Sequence, residues 1–172
     1  MHRDVELIYL NPCCIHKHLG EYLSRKEPTC FFTNSDWGLP QLLELLSLYI
    51  PGGELTVCLP KVTDDVVKKL QYLVSEFKSV KQVNLIIDDK TSASNLFANV
   101  LSSGTLQVAR YPIGFRTIAI GNGERQAVIS GSFNQHKMEI GMQLQQLTLC
   151  TDLQNYEDVM AVLTPILNIH KN

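Results

Sequence analysis

The sequence predicts an α/β sandwich, a mixed β-sheet flanked by helices on both faces. Three observations carry that expectation. Short apolar runs alternate with stretches of helical periodicity along most of the chain. LTVCL at 55–59 reads as a continuous apolar strand of the kind covered on both faces, and 83–87, VNLII, is another largely apolar strand. Near the C-terminal end, RTIAIGNGERQAVISGSFN at 116–134 reads as two strands joined by a tight turn, which adds antiparallel pairing.

The elements follow in order. Val5 to Leu10 alternates as a strand, and Ile15, Leu19, Tyr22 and Leu23 have helical spacing, so residues 14–25 read as an amphipathic helix. TCFFT at 29–33 is a β-rich run. Asn34-Ser35-Asp36 supplies cap chemistry and Pro40 suits a first helical turn, ahead of the apolar helix LLELLSLYI at 42–50. Pro51-Gly52-Gly53 turns into the strand at 55–59. Thr63, Asp64 and Asp65 open a helix whose expected buried stripe is Val66, Leu70, Leu73 and Phe77. After the strand at 83–87, Ser92 to Ser102 reads as a helix ended by Gly104.

Leu106, Val108 and Arg110 begin a further strand, and the hairpin follows, with Gly121-Asn122-Gly123 as its turn. From Gly141 to Cys150 the apolar set changes phase, which a β-bulge near Gln145-Gln146 would explain. A last helix begins after Asp152 and buries Tyr156, Val159, Met160, Leu163 and Leu167. No repeat, linker or low-complexity segment interrupts the chain, so 172 residues suggest a single domain.

Composition excludes several classes. A net charge of −2 does not describe a chain that binds nucleic acid through overall charge, although a local basic patch would. No apolar run reaches the ~20 residues of a membrane span, and MHRDVELIYL lacks the apolar core of a signal peptide. The five cysteines are odd in number and contain no CxxC pair, which argues against disulfides or a structural zinc and for a reducing, cytoplasmic setting. Cys58 and Cys150 sit in apolar strands and suit the core. Neither a metal nor a cofactor is expected.

The hairpin ends in Gly131-Ser132-Phe133-Asn134, where a glycine admits close approach and the hydroxyl and amide can hydrogen-bond an oxyanion. This stretch resembles the phospholipase D superfamily. That motif is a strand carrying His-any-Lys, an Asp after four more residues, and Gly-Ser-any-Asn about six residues on. The last part matches in full. Counting back from Gly131 puts Thr117, Ala119 and Glu124 at the His, Lys and Asp positions. Alignment on the turn, with Asn122 as the acid, puts Phe115 and Thr117 at the His and Lys positions. Neither register supplies a histidine or a lysine.

The order of surrounding elements extends the resemblance over 29–167 and leaves 1–28 as an extra N-terminal strand and helix. The resemblance implies a phospholipase D-like sandwich. Its phosphodiester chemistry uses a histidine nucleophile and a histidine acid from two motif copies, with lysines and the Ser/Asn pair holding phosphate oxygens. A chain with one such region would complete a site only as a homodimer. With His and Lys absent, the expected function is a catalytically degenerate, regulatory or binding domain, with a remnant site for a phosphate-bearing ligand or nucleic acid and no membrane partner. The alternative is an active phosphodiesterase or nuclease using relocated residues, His136 and Lys137 being the candidates. Ser132, Asn134, Arg116 and Glu139 are the candidate ligand-binding residues, and Arg110 and Lys137 would add charge at the mouth. Ser132 and Asn134 equally suit a turn capped through the local backbone.

Overall fold

A computed structural model describes residues 5–7, 15–25, 27–33, 38–90, 104, 106–132 and 145–169. Its elements are β1 (Val5–Leu7), α1 (Ile15–Leu23), β2 (Thr29–Thr33), α2 (Leu39–Tyr49), β3 (Gly53–Leu59) and α3 (Asp64–Ser75). They continue as β4 (Val80–Ile87), β5 (Gln107–Arg110), β6 (Thr117–Gly121), β7 (Gln126–Gly131), β8 (Gln145–Cys150) and a last helix, α4 (Leu153–Ile169). The expected helix at 92–102 lies outside the described residues, as do 141–144 of the last expected strand.

All eight strands form one mixed sheet in the order β1-β2-β8-β7-β6-β3-β4-β5. β3, β4 and β5 are parallel, β6 runs antiparallel to both β3 and β7, and β8 runs antiparallel to both β7 and β2. Six strands therefore end, and β6 and β8 begin, at one end of the sheet. Crevices at such strand ends are where open α/β sheets bind ligands.

Alternation along the strands builds two cores. Leu55, Val57 and Leu59 of β3, with Val83, Leu85 and Ile87 of β4, pack under α1, α2 and α3. Cys58 and Ile86 face the other way and pack with Ala109, Ile113 and the α4 residues Leu163, Ile166 and Leu167. Burial pushes the Cys58 thiol up to about 12. The second face also carries a polar ladder whose inner members, Asn84 and Thr56, are buried. The Asn84 amide donates to Thr56 Oγ1 (3.2 Å) and accepts from Gln82 (2.7 Å). Gln82 also donates to Gln107 (3.1 Å), whose own amide donates to the Leu167 carbonyl near the end of α4 (3.1 Å).

Four local expectations need correction. Phe77 lies beyond the end of α3, is 38% exposed and stacks on Tyr72 instead of joining the buried stripe, where Val67 takes its place. Cys58 is fully buried, but Cys150 is only partly so. α2 begins at Leu39, three residues ahead of the expected apolar run, with Gly38 as its N-cap and the Gly38 N–H donated to Gln41 Oε1 at 3.0 Å, while the expected cap residues Asn34 to Asp36 lie outside the described residues. β8 pairs with β2 in unbroken register from Gln145 to Leu149, so no bulge interrupts that stretch.

Candidate functional site

The hairpin turn starts one residue later than expected and ends two residues later. Gly121 pairs with Gln126, and Asn122 to Arg125 form the loop. Asn122 organises it: its Oδ1 accepts the N–H groups of Glu124 (3.0 Å) and Arg125 (2.8 Å), and its amide donates to the Pro51 carbonyl (3.1 Å). Gly123 supplies the left-handed conformation, with φ +91°.

At the opposite end of the hairpin, where six strands terminate, lies the site the sequence singles out. Thr117 opens β6 and is 6% exposed. Its Oγ1 lies 3.0 Å from Ser130 Oγ on β7. Gly131 follows with φ +149°. A Cβ built there would lie 2.1 Å from the Gln146 carbonyl oxygen of β8, so only glycine lets the two backbones approach this closely. Gly131 N–H donates to the Arg116 carbonyl (3.3 Å), which closes the mouth of the hairpin.

Ser132 is exposed and doubly tied to β8. Its N–H donates to the Gln146 carbonyl (3.0 Å), and its Oγ accepts the Gln146 N–H (3.1 Å). This is the backbone-capping role. It fixes the oxygen in place yet uses only an acceptor lone pair, so the hydroxyl retains its proton for donation. Arg116 is exposed on the segment entering β6, next to this loop. Asn134, His136, Lys137 and Glu139 lie outside the described residues.

Two features at this end of the sheet escape pattern reading. One is the Thr117–Ser130 pair, which emerges only from cross-strand register. The other is Asp88, just past β4. Its carboxylate accepts the N–H groups of Lys90 (2.9 Å) and Ile113 (3.4 Å), and these bonds, Lys90 first, hold it below the usual carboxylate range. No cluster of three metal-ligating side chains occurs among the described residues.

A cavity of about 480 Å³ opens at the other end of the sheet, between the hairpin loop and the C-terminal ends of α1 and α2. Gly20, Arg25, Tyr49, Ile50 and Arg125 are among its lining residues. The C-terminal ends of α1 and α2 face it, and Thr151, just ahead of α4, also lines it.

The order of strands, the two-faced packing and the Gly-Ser hairpin define the phospholipase D-like fold. A phospholipase D family member, Nuc from Salmonella typhimurium, superposes with a TM-score of 0.57 at 15% identity, covering 83% of this chain and 95% of that one. Polyphosphate kinase from Porphyromonas gingivalis gives 0.46 at 10% identity, covering 88% of this chain and 21% of that one. TrmBL2, an archaeal chromatin protein, gives 0.43 at 12% identity, covering 90% of this chain and 56% of that one. No protein-family model and no curated protein matches the sequence. No helix among the described residues is long and apolar enough to cross a membrane.

Proposed function

We propose that this chain is a catalytically degenerate phospholipase D-like domain that acts by binding a phosphate-bearing ligand, as a homodimer joined near the strand-end site. One observation carries the reading. In either alignment Thr117 takes a position that the family motif gives to histidine or lysine. Here that side chain is a buried hydroxyl bonded to Ser130. A threonine so placed supplies neither an imidazole nucleophile nor an ammonium for phosphoryl charge. The Ser132 hydroxyl, held by β8 with its proton available, and the nearby Arg116 suit recognition of an anion.

Three measurements test the proposal. Sedimentation at micromolar concentration should give a dimer, and a clean monomer would count against the shared site. Bis-p-nitrophenyl phosphate should not be hydrolysed; turnover that disappears in His136→Ala would establish the enzymatic alternative. Inorganic phosphate should shift the Gly131 and Ser132 amide resonances at millimolar concentration. If those signals stay still, the Ser132 loop is a turn and nothing more.

A further inference from the structure

The cavity of about 480 Å³ at the loop end of the hairpin is separated from the strand-end site by the length of β6 and β7. Its volume is ordinary for a pocket that holds a small organic molecule. Four segments meet around it: the end of α1, the end of α2, the β6–β7 loop and the β8–α4 junction. Hydrogen bonds join these segments. The Thr151 hydroxyl donates to the Arg25 carbonyl, and the Gln126 amide donates to the Thr151 carbonyl (2.7 Å). The Asn122 amide ties the loop to the Pro51 carbonyl, and Asn122 Oδ1 holds the N–H groups of Glu124 and Arg125. The walls are therefore set before any ligand arrives, which lowers the ordering cost of binding.

The lining divides into three kinds of surface. Leu23, Tyr49 and Ile50 supply an apolar wall. Ser24 and Thr151 have committed their hydroxyl protons to the Glu21 (2.7 Å) and Arg25 carbonyls, so their oxygens can only accept. Glu124 and Arg125 bring opposite charges from adjacent positions of one loop. Both are exposed, and their side chains pair neither with each other nor with any other described residue. Arg25, the other cation in the lining, is already engaged, with its guanidinium 4.6 Å from the centre of the Tyr22 ring. The cavity thus offers a carboxylate and two acceptor oxygens to a cation, one guanidinium to an anion, and apolar surface to whatever joins them.

We propose that this cavity binds a free α-amino acid with an apolar side chain. The ligand's ammonium meets Glu124 and the Ser24 and Thr151 oxygens, its carboxylate meets Arg125, and its side chain lies on Leu23, Tyr49 and Ile50. A simple carboxylate or phosphate sets its charge beside that of Glu124, and a simple amine sets its charge beside that of Arg125, and each such contact is unfavourable. Only a ligand carrying both charges satisfies both residues. This site is independent of the phosphate-binding reading of the Ser132 loop, which lies at the other end of β7.

An NMR titration of the full chain with L-leucine tests this, beside the two analogues that each lack one charge, isocaproate and isoamylamine. Leucine at millimolar concentration should shift the Glu124, Arg125 and Thr151 amides and leave Gly131 and Ser132 still. Each analogue should bind at least about tenfold more weakly, the loss typical of one charge-assisted hydrogen bond. Glu124→Gln should weaken leucine about tenfold and leave isocaproate no weaker. Arg125→Gln should weaken leucine by a similar factor and leave isoamylamine no weaker. Both side chains are exposed, so the thermal melts of the variants should match that of the wild type. Leucine that leaves the three amides unmoved, or binds no tighter than either analogue, overturns the proposal, as does unchanged leucine affinity in both variants. Inorganic phosphate that shifts Glu124 and Arg125 as strongly as leucine does would show a plain anion pocket and overturn it too. Phosphate shifts confined to Gly131 and Ser132 bear on the Ser132 reading alone.

Discussion

Thr117 and Ser130 face each other across the β6–β7 ladder with their hydroxyl oxygens 3.0 Å apart. Each hydroxyl therefore depends on the other within a largely closed environment. Thr117→Val should lower unfolding free energy by about 0.5–1.5 kcal/mol, the loss typical of one neutral hydrogen bond. Urea denaturation measures it, and an unchanged midpoint would mean that water already serves Ser130.

Gly131 should tolerate no side chain. In Gly131→Ala the new methyl meets the Gln146 backbone, which cannot swing aside, at a φ that L-residues avoid. A loss of at least about 2 kcal/mol is expected. The Ser132 and Gln146 amides should also lose hydrogen-exchange protection.

Gly121 should behave differently, because its obstacle can move. A Cβ there would lie 2.7 Å from the Tyr156 ring on α4. Gly121→Ala should therefore destabilise the wild-type chain but cost less in a Tyr156→Leu background. A double-mutant cycle should return a coupling of about 0.5–3 kcal/mol, and strict additivity would refute the contact.

The polar ladder under α4 should be sensitive to its centre. Asn84 is 4% exposed and Thr56 1%, so Asn84→Ala strands the Thr56 hydroxyl in the interior. A cost of about 1–3 kcal/mol is expected by chemical denaturation. Gln107 should then release the Leu167 carbonyl, seen as faster exchange in the last turn of α4.

Acid should weaken the fold through Asp88 and Asp152. Backbone N–H groups lower both carboxyls, that of Lys90 foremost at Asp88 and that of Asn155 foremost at Asp152, which caps α4. The folded chain thus binds these protons less readily than the unfolded one. The stabilisation is complete above the unfolded value near pH 3.9 and is lost as pH falls through the lower folded values. The Asp88→Asn, Asp152→Asn double variant should show a flatter acid limb in a pH series of thermal melts, and an unchanged limb would contradict the assignment.

Much of the fold was legible because its strands are unusually apolar. LTVCL and VNLII could only be buried strands, and they became β3 and β4, each extended by residues the pattern omitted. Phe77 misled because helical spacing continues past the point where the helix stops at Ser75. The turn misled because Gly121 still pairs with Gln126, a matter of register that composition does not encode. The close backbone approach at Gly131 was legible from motif chemistry, whereas the Thr117–Ser130 pair was not, since it depends on which strands align.

β1 and β2 join the rest of the sheet through β8, where Thr29 pairs with Leu149. A growing chain therefore carries β1 and β2 cut off from the rest of the sheet until β8 has been made. Pairings this distant in sequence close late, after the local β3–β4 unit can already have formed. Until then the apolar run TCFFT is an open edge. Synthesis that stalls before β8 leaves that edge exposed on a partly built sheet, so the vulnerable interval runs from the making of β2 to the making of β8.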